Sequence, residues 1–111
     1  LERLRINMAR VQFQTLTEPM FYILLCLQKE VCGIDIMAMV SVISNGRVSI
    51  GPGTLYAMLQ KFEDNEIIEK TREENRKKWY LITDTGKQML DDELKRLESM
   101  LNDAKSTMKN N

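Results

Sequence analysis

Hydrophobic positions recur along most of the chain at intervals of three and four residues, with one break where the spacing shortens to about two. Residues 1–16 carry Leu4, Met8 and Val11 at helical spacing and read as an N-terminal arm or extra helix. Thr17 then offers an N-cap oxygen, with Glu18 and Pro19 in the first turn behind it. From Met20 to Leu27 the chain is apolar nearly all round, which predicts a central, fully buried helix. After a corner at Gly33, Ile36, Met37, Val40 and Ile43 mark a second short helix, ended by Asn45-Gly46, two residues that accept positive φ. Gly51-Pro52-Gly53 leads into a third helix over about 54–64, whose Leu55, Met58, Leu59 and Phe62 share one face.

The period changes at Ile67. Residues 67–72 and 76–83 read as two strands joined by a polar loop at Glu73-Glu74-Asn75, since Trp79, Tyr80, Leu81, Ile82 and Thr83 are types that half-buried strands prefer. Thr83 caps a long final helix from Asp84. In it Leu90, Leu94, Leu97, Leu101, Ala104 and Met108 are spaced four, three, four, three and four apart, an a/d seam over nearly three heptads. Three helices, a hairpin and a long helix make a mainly α chain with a small β-hairpin, an α+β fold in the order of a winged helix-turn-helix. The predicted organisation is an arm over 1–16, a winged helix-turn-helix over 17–83 and a dimerisation helix over 84–111. The seam either packs on the first helix of its own chain or pairs with its twin. The homodimer is the favoured reading, because a bare leucine seam is costly in water.

Length and composition narrow the chemistry. A chain of 111 residues suits one domain with a modest core. It has no histidine, so the commonest general base and metal ligand are both missing. Cys26 and Cys32 lack zinc or redox spacing, and are read as reduced, Cys26 buried and Cys32 half-exposed. An enzyme is disfavoured, and no catalytic residue, cofactor or metal site is expected. No apolar run approaches the roughly 20 residues of a membrane span, and no signal peptide is visible, so the expected setting is the cytoplasm.

Sixteen basic and sixteen acidic residues cancel overall, yet residues 67–83 hold five basic against three acidic side chains, with Arg72, Arg76, Lys77 and Lys78 near the hairpin tip. On the third helix, Gly53, Ala57, Gln60 and Asp64 lie opposite the apolar face, flanked by Thr54 and Lys61 on one edge and Tyr56 and Glu63 on the other. Small residues let a helix approach a groove floor, and Gln60 suits a bidentate pair with adenine. The plain alternative is a solvated helix face. A basic hairpin beside a helix-turn-helix pattern favours contact with nucleic acid phosphates. The neutral charge and the acidic residues of the loop support a second class, a winged-helix protein-interaction module without DNA binding.

Three stretches carry a family resemblance: LTEPMFYILLCLQKEV at 16–31 with Gly33, GPGTLYAMLQKFEDNEIIE at 51–69, and RKKWYLITDTGKQML at 76–90. They resemble the PadR family of transcriptional regulators, in the short form with a single C-terminal helix. The most specific pieces are Gly53-Thr54-Leu55-Tyr56 and Ile82-Thr83-Asp84-Thr85-Gly86 in that order. The resemblance implies a dimeric repressor on double-stranded operator DNA, relieved in some members by a small molecule. Carried over by position, Ser49, Gly53, Thr54, Tyr56, Gln60 and Lys61 serve the recognition helix, and Arg76, Lys77 and Lys78 the wing. Leu90, Leu94, Leu97, Leu101 and Met108 of the seam are the expected dimer interface. Tyr56 either packs the third helix against the wing or offers its hydroxyl to a phosphate. Two departures stand out: Ile34 replaces the usual tyrosine, and the last helix lacks the tryptophan with which drug-binding members hold flat aromatic ligands.

Overall fold

In a computed structural model of the chain, which describes residues 3–4 and 15–110, the elements are α1 (Glu18–Cys26), β1 (Val31–Cys32), α2 (Gly33–Ile43), α3 (Pro52–Asp64), β2 (Ile68–Glu74), β3 (Lys77–Ile82) and α4 (Asp84–Lys109). The arm expected over 1–16 falls mostly outside the described residues. Leu16, at its end, is buried in the core.

Local chemistry sets each boundary. The Thr17 hydroxyl accepts from the Met20 N–H at the start of α1, and the Thr83 hydroxyl accepts from the Gly86 N–H at 3.1 Å at the start of α4. Asn45 and Gly46 turn the chain after α2 with φ of 54° and 78°. The buried Ser44 hydroxyl accepts from the Val48 N–H at 3.1 Å and closes that turn. It is the turn of the helix-turn-helix, and Arg47 within it reaches Glu18 (3.1 Å) and the Tyr22 hydroxyl (3.0 Å), tying the turn to α1.

The core joins Ile23, Leu24 and Leu27 from the first helical segment, Ile36 and Val40 from α2, Leu55, Leu59 and Phe62 from α3, Ile67, Ile68, Tyr80 and Ile82 from the sheet, and Met89 and Leu90 from α4. Four expectations need correction. First, α1 is not fully buried: Met20, Phe21, Tyr22 and Leu25 are half-buried, because α1 borders the core rather than crossing it. Second, the sheet has three strands, in the order β1-β3-β2, where a two-stranded hairpin was predicted. Val31 pairs with Tyr80 and Cys32 with Trp79, antiparallel. Third, that pairing buries Cys32, which the sequence suggested was half-exposed. Fourth, Glu73 and Glu74 belong to β2, opposite Lys78 and Lys77, and the loop shrinks to Asn75-Arg76. Both of those residues have positive φ, 53° and 68°, as a tight two-residue turn between twisted strands demands.

The α4 N-terminus is locked to the sheet. The Thr83 N–H donates to the Ile67 carbonyl at 3.0 Å, and its hydroxyl is shared between the Glu66 and Ile67 carbonyls at 2.7 and 2.9 Å. Gly86 lies against the same carbonyl: a Cβ there would stand 2.3 Å from the Ile67 oxygen and 2.6 Å from the Ile82 Cγ1. Farther along, α4 leaves the core. Glu93 is the last buried residue, paired with Arg96, and every residue from Leu94 to the end of the helix is exposed apart from the half-buried Arg96.

Candidate nucleic-acid interface

The outward face of α3 and the base of the wing enclose a cleft of about 350 Å³. Tyr56 and Gln60 line it from α3, Arg76, Lys77 and Lys78 from the wing, and Cys32, Gly33 and Ile34 from the β1–α2 corner, with Tyr80 among them. Five residues singled out from the sequence therefore meet in one space. Ser49, Gly53, Thr54 and Lys61 are exposed but stand apart from it, Ser49 in the loop before α3, Gly53 and Thr54 in the first turn of the helix, and Lys61 farther along it.

Each group has a structural reason for its place. Leu55, Leu59 and Phe62 are buried and fix the roll of α3, so Gln60 and Tyr56 must face outward. Tyr56 is half exposed on that face. Gly51 supplies the N-cap backbone and no side chain caps α3 among the described residues, so its first-turn N–H groups are open to an anion. The Gln60 carboxamide has a partner on its own helix: its Nε2 donates to Asp64 Oδ1 at 2.8 Å.

Of the acidic residues of the wing, Glu73 is answered within the wing. Lys70 donates to Glu73 at 2.6 Å, and this bond, with the lysine charge, holds the Glu73 carboxyl below its usual range. Arg76, Lys77 and Lys78 are exposed cations lining the cleft. Arg72, placed with them from the sequence, instead lays its guanidinium over the Trp79 ring, 3.7 Å from the centroid. Burial raises the Tyr80 phenol above its ordinary value, with the Glu63 charge adding to it, so it stays protonated on the cleft floor. Cys26 lies outside the cleft, its thiol pushed up by burial. No group of acidic, cysteine or histidine residues among those described is arranged to hold a metal ion, and no helix among them is long and apolar enough to cross a membrane.

Sequence reasoning missed Gly33 and Tyr80 as cleft residues, and noted Ile34 only as a departure from a motif. A Cβ on Gly33 would come within 3.3 Å of the Tyr80 ring, so the glycine lets β1 and α2 close over β3. Gly53 is different: a Cβ there meets nothing within 4 Å. Nothing inside the chain demands a glycine at that position, whereas a surface pressed against the helix end would. Gly53→Ala is therefore expected to keep or slightly raise thermal stability, by up to about 1 kcal/mol from helix propensity. The same change is expected to weaken DNA binding roughly tenfold. Paired melting curves and anisotropy titrations check both signs.

A helix-turn-helix completed by a three-stranded sheet, with its hairpin projecting beside the third helix, defines a winged helix-turn-helix protein. The model of the transcriptional regulator PadR-like family matches residues 23–92, which spans the core elements and the start of α4. The chain belongs to this family, whose members are transcriptional regulators and not enzymes. Solved structures of RosR from H. salinarum share the fold. One superposes with a TM-score of 0.65 at 21% identity, covering 90% of this chain and 98% of RosR. Two others give 0.62 and 0.59 at 20% identity, covering 84% and 83% of this chain and 95% and 96% of RosR. Comparison with curated proteins by sequence returns no match.

Proposed function

We infer that the protein is a homodimeric, cytoplasmic repressor that binds a palindromic operator through residues 17–83 and dimerises through 84–111. One observation carries this reading above the others: Tyr56, Gln60, Arg76, Lys77 and Lys78 line a single cleft. A base-reading amide and phosphate-gripping cations share an approach direction there. With α3 in the major groove, its open N-terminal N–H groups and Thr54 meet backbone phosphates, Gln60 reaches a base edge, and the wing lysines hold the flanking strand. A dimer places two such helices about one helical turn, roughly 34 Å, apart, which fits a palindrome. A small-molecule effector would release the operator by favouring a dimer state with a different angle between the two winged domains.

The test is a fluorescence-anisotropy titration against DNA upstream of the protein's own gene, at several salt concentrations and with excess unrelated DNA. Saturation at two chains per site, surviving competitor and falling steeply with salt, is the expected result. Replacing both Lys77 and Lys78 with alanine should reduce the salt slope by about two. An unchanged slope would take the wing off the DNA. Weak binding that competitor abolishes would favour the protein-interaction module instead.

A further inference from the structure

A carboxylate on the outer face of a DNA-reading helix is repelled by phosphates, and Asp64 stands on that face of α3. Its Oδ1 accepts from Gln60 Nε2 at 2.8 Å, one helical turn away. We propose that Asp64 is a positioning residue that fixes which way the Gln60 carboxamide faces and so sets the choice of adenine over guanine. The inference rests on α3 being the helix that reads DNA.

Donors and acceptors decide the choice. A primary amide has two nearly isosteric orientations that exchange its oxygen and nitrogen. An ionised carboxylate only accepts, so it tolerates the orientation that brings Nε2 toward it and rejects the one that brings Oε1. In the permitted orientation one amide hydrogen is committed to Asp64. The other hydrogen and Oε1 remain as a donor–acceptor edge in fixed order. Adenine presents N7 as acceptor and N6–H as donor in the major groove, and matches that edge. Guanine presents two acceptors, N7 and O6, which an amide with both hydrogens free can serve. With one hydrogen held by Asp64, Oε1 is left facing O6, and guanine is refused. Exclusion of water from the groove strengthens the Gln60–Asp64 bond where discrimination is needed.

The chain carries its own control. Gln88 and Asp92 form the same pair on α4 at 2.9 Å, away from the cleft. A purely helix-stabilising role would apply equally to both pairs. Only on α3 does the glutamine of the pair line the cleft with the wing cations.

Selection from a randomised duplex library, followed by titration of the selected site and its adenine-to-guanine variant, tests the assignment. Wild-type protein should prefer adenine by about tenfold at the base pair where Gln60→Ala loses preference. Asp64→Asn is close in shape, but its amide both donates and accepts, so both Gln60 orientations become available. It should bring the preference within about twofold while raising affinity for unrelated DNA, because a repelled charge is gone. Asp64→Glu keeps an acceptor-only partner and should keep the preference. Asp92→Asn should match wild type, and Asp64→Asn should add no further loss to the Gln60→Ala preference. Full adenine preference in Asp64→Asn would overturn the lock while leaving the DNA reading intact. Wild-type protein that selects no sequence at all would overturn the DNA reading itself, and the lock with it.

Discussion

Gly86→Ala should cost about 3 kcal/mol or more and lower the melting temperature by something like 15 °C. The added Cβ would stand 2.3 Å from the Ile67 carbonyl oxygen and 2.6 Å from Ile82 Cγ1. Neither neighbour can yield cheaply. The Ile67 carbonyl already receives the Thr83 N–H and hydroxyl, and Ile82 is buried and tied to the Leu27 carbonyl through its own N–H at 2.8 Å. Relief requires moving the α4 N-terminus off the sheet, which breaks the Thr83 cap at the same time. A domain of this size has only about 5–15 kcal/mol of total stability, so the loss is a large fraction of it. Differential scanning calorimetry measures it directly. An unchanged melting temperature would show that α4 docks less tightly than its contacts require. Gly53→Ala serves as the matched control, with the same chemical change and the opposite sign.

Replacing Leu97 and Leu101 together with glutamate should convert a dimer to a monomer and weaken operator binding a hundredfold or more. Both leucines are exposed, at 40% and 53%, and with Leu94 and Met108 they continue an apolar seam along α4 that the described chain leaves largely uncovered. Two like charges set into each half of a paired seam are strongly unfavourable, whereas on a lone exposed helix they are harmless. The fold of each chain should therefore survive, with unchanged far-ultraviolet circular dichroism. Binding should fall because two linked half-site contacts become separate events. Sedimentation equilibrium reports the assembly, and a wild-type melting temperature that rises with protein concentration corroborates it. A wild-type chain that sediments as a monomer at every concentration would overturn the dimer.

Leu90 marks where a sequence pattern and a structure part company. It falls in register with the other seam leucines, yet it is 6% exposed and belongs to the chain's own core. A heptad pattern is indifferent to whether its apolar face meets the same chain or another. Only the packing of α1 and the sheet shows that the α4 seam passes from intramolecular to open between Glu93 and Leu94. The caps at Thr17 and Thr83 and the inward faces of α2 and α3 were legible because helix periodicity repeats often enough to be recognised. The strand β1 was not: two residues cannot display an alternation, and the pairing of Val31 and Cys32 with β3 depends on chain far along the sequence. The wing turn was half legible. Asn75 suits positive φ, but Arg76 gives no local sign that it adopts the same conformation.

The candidate site followed the same division. Residue types named Gln60, Tyr56 and the wing cations, while only the closure of β1 over β3 revealed the cleft floor made by Gly33 and Tyr80. Glu73 and Glu74 weighed against DNA contact when read as loop residues. In β2 Glu73 is bonded to Lys70, which meets that objection for Glu73, while Glu74 stays an exposed carboxylate across the strand pair from Lys77.

The stacking of Arg72 on Trp79 has an experimental consequence. Trp79 is the only tryptophan in the chain, half-buried on the central strand, one residue from the wing lysine Lys78. Its emission therefore comes from the wing alone, and a cation 3.7 Å above the ring makes that emission sensitive to any shift of Arg72. The unlabelled protein thus carries a built-in optical gauge at one defined place. Movement of the wing can be followed in real time without dye, tag or substitution.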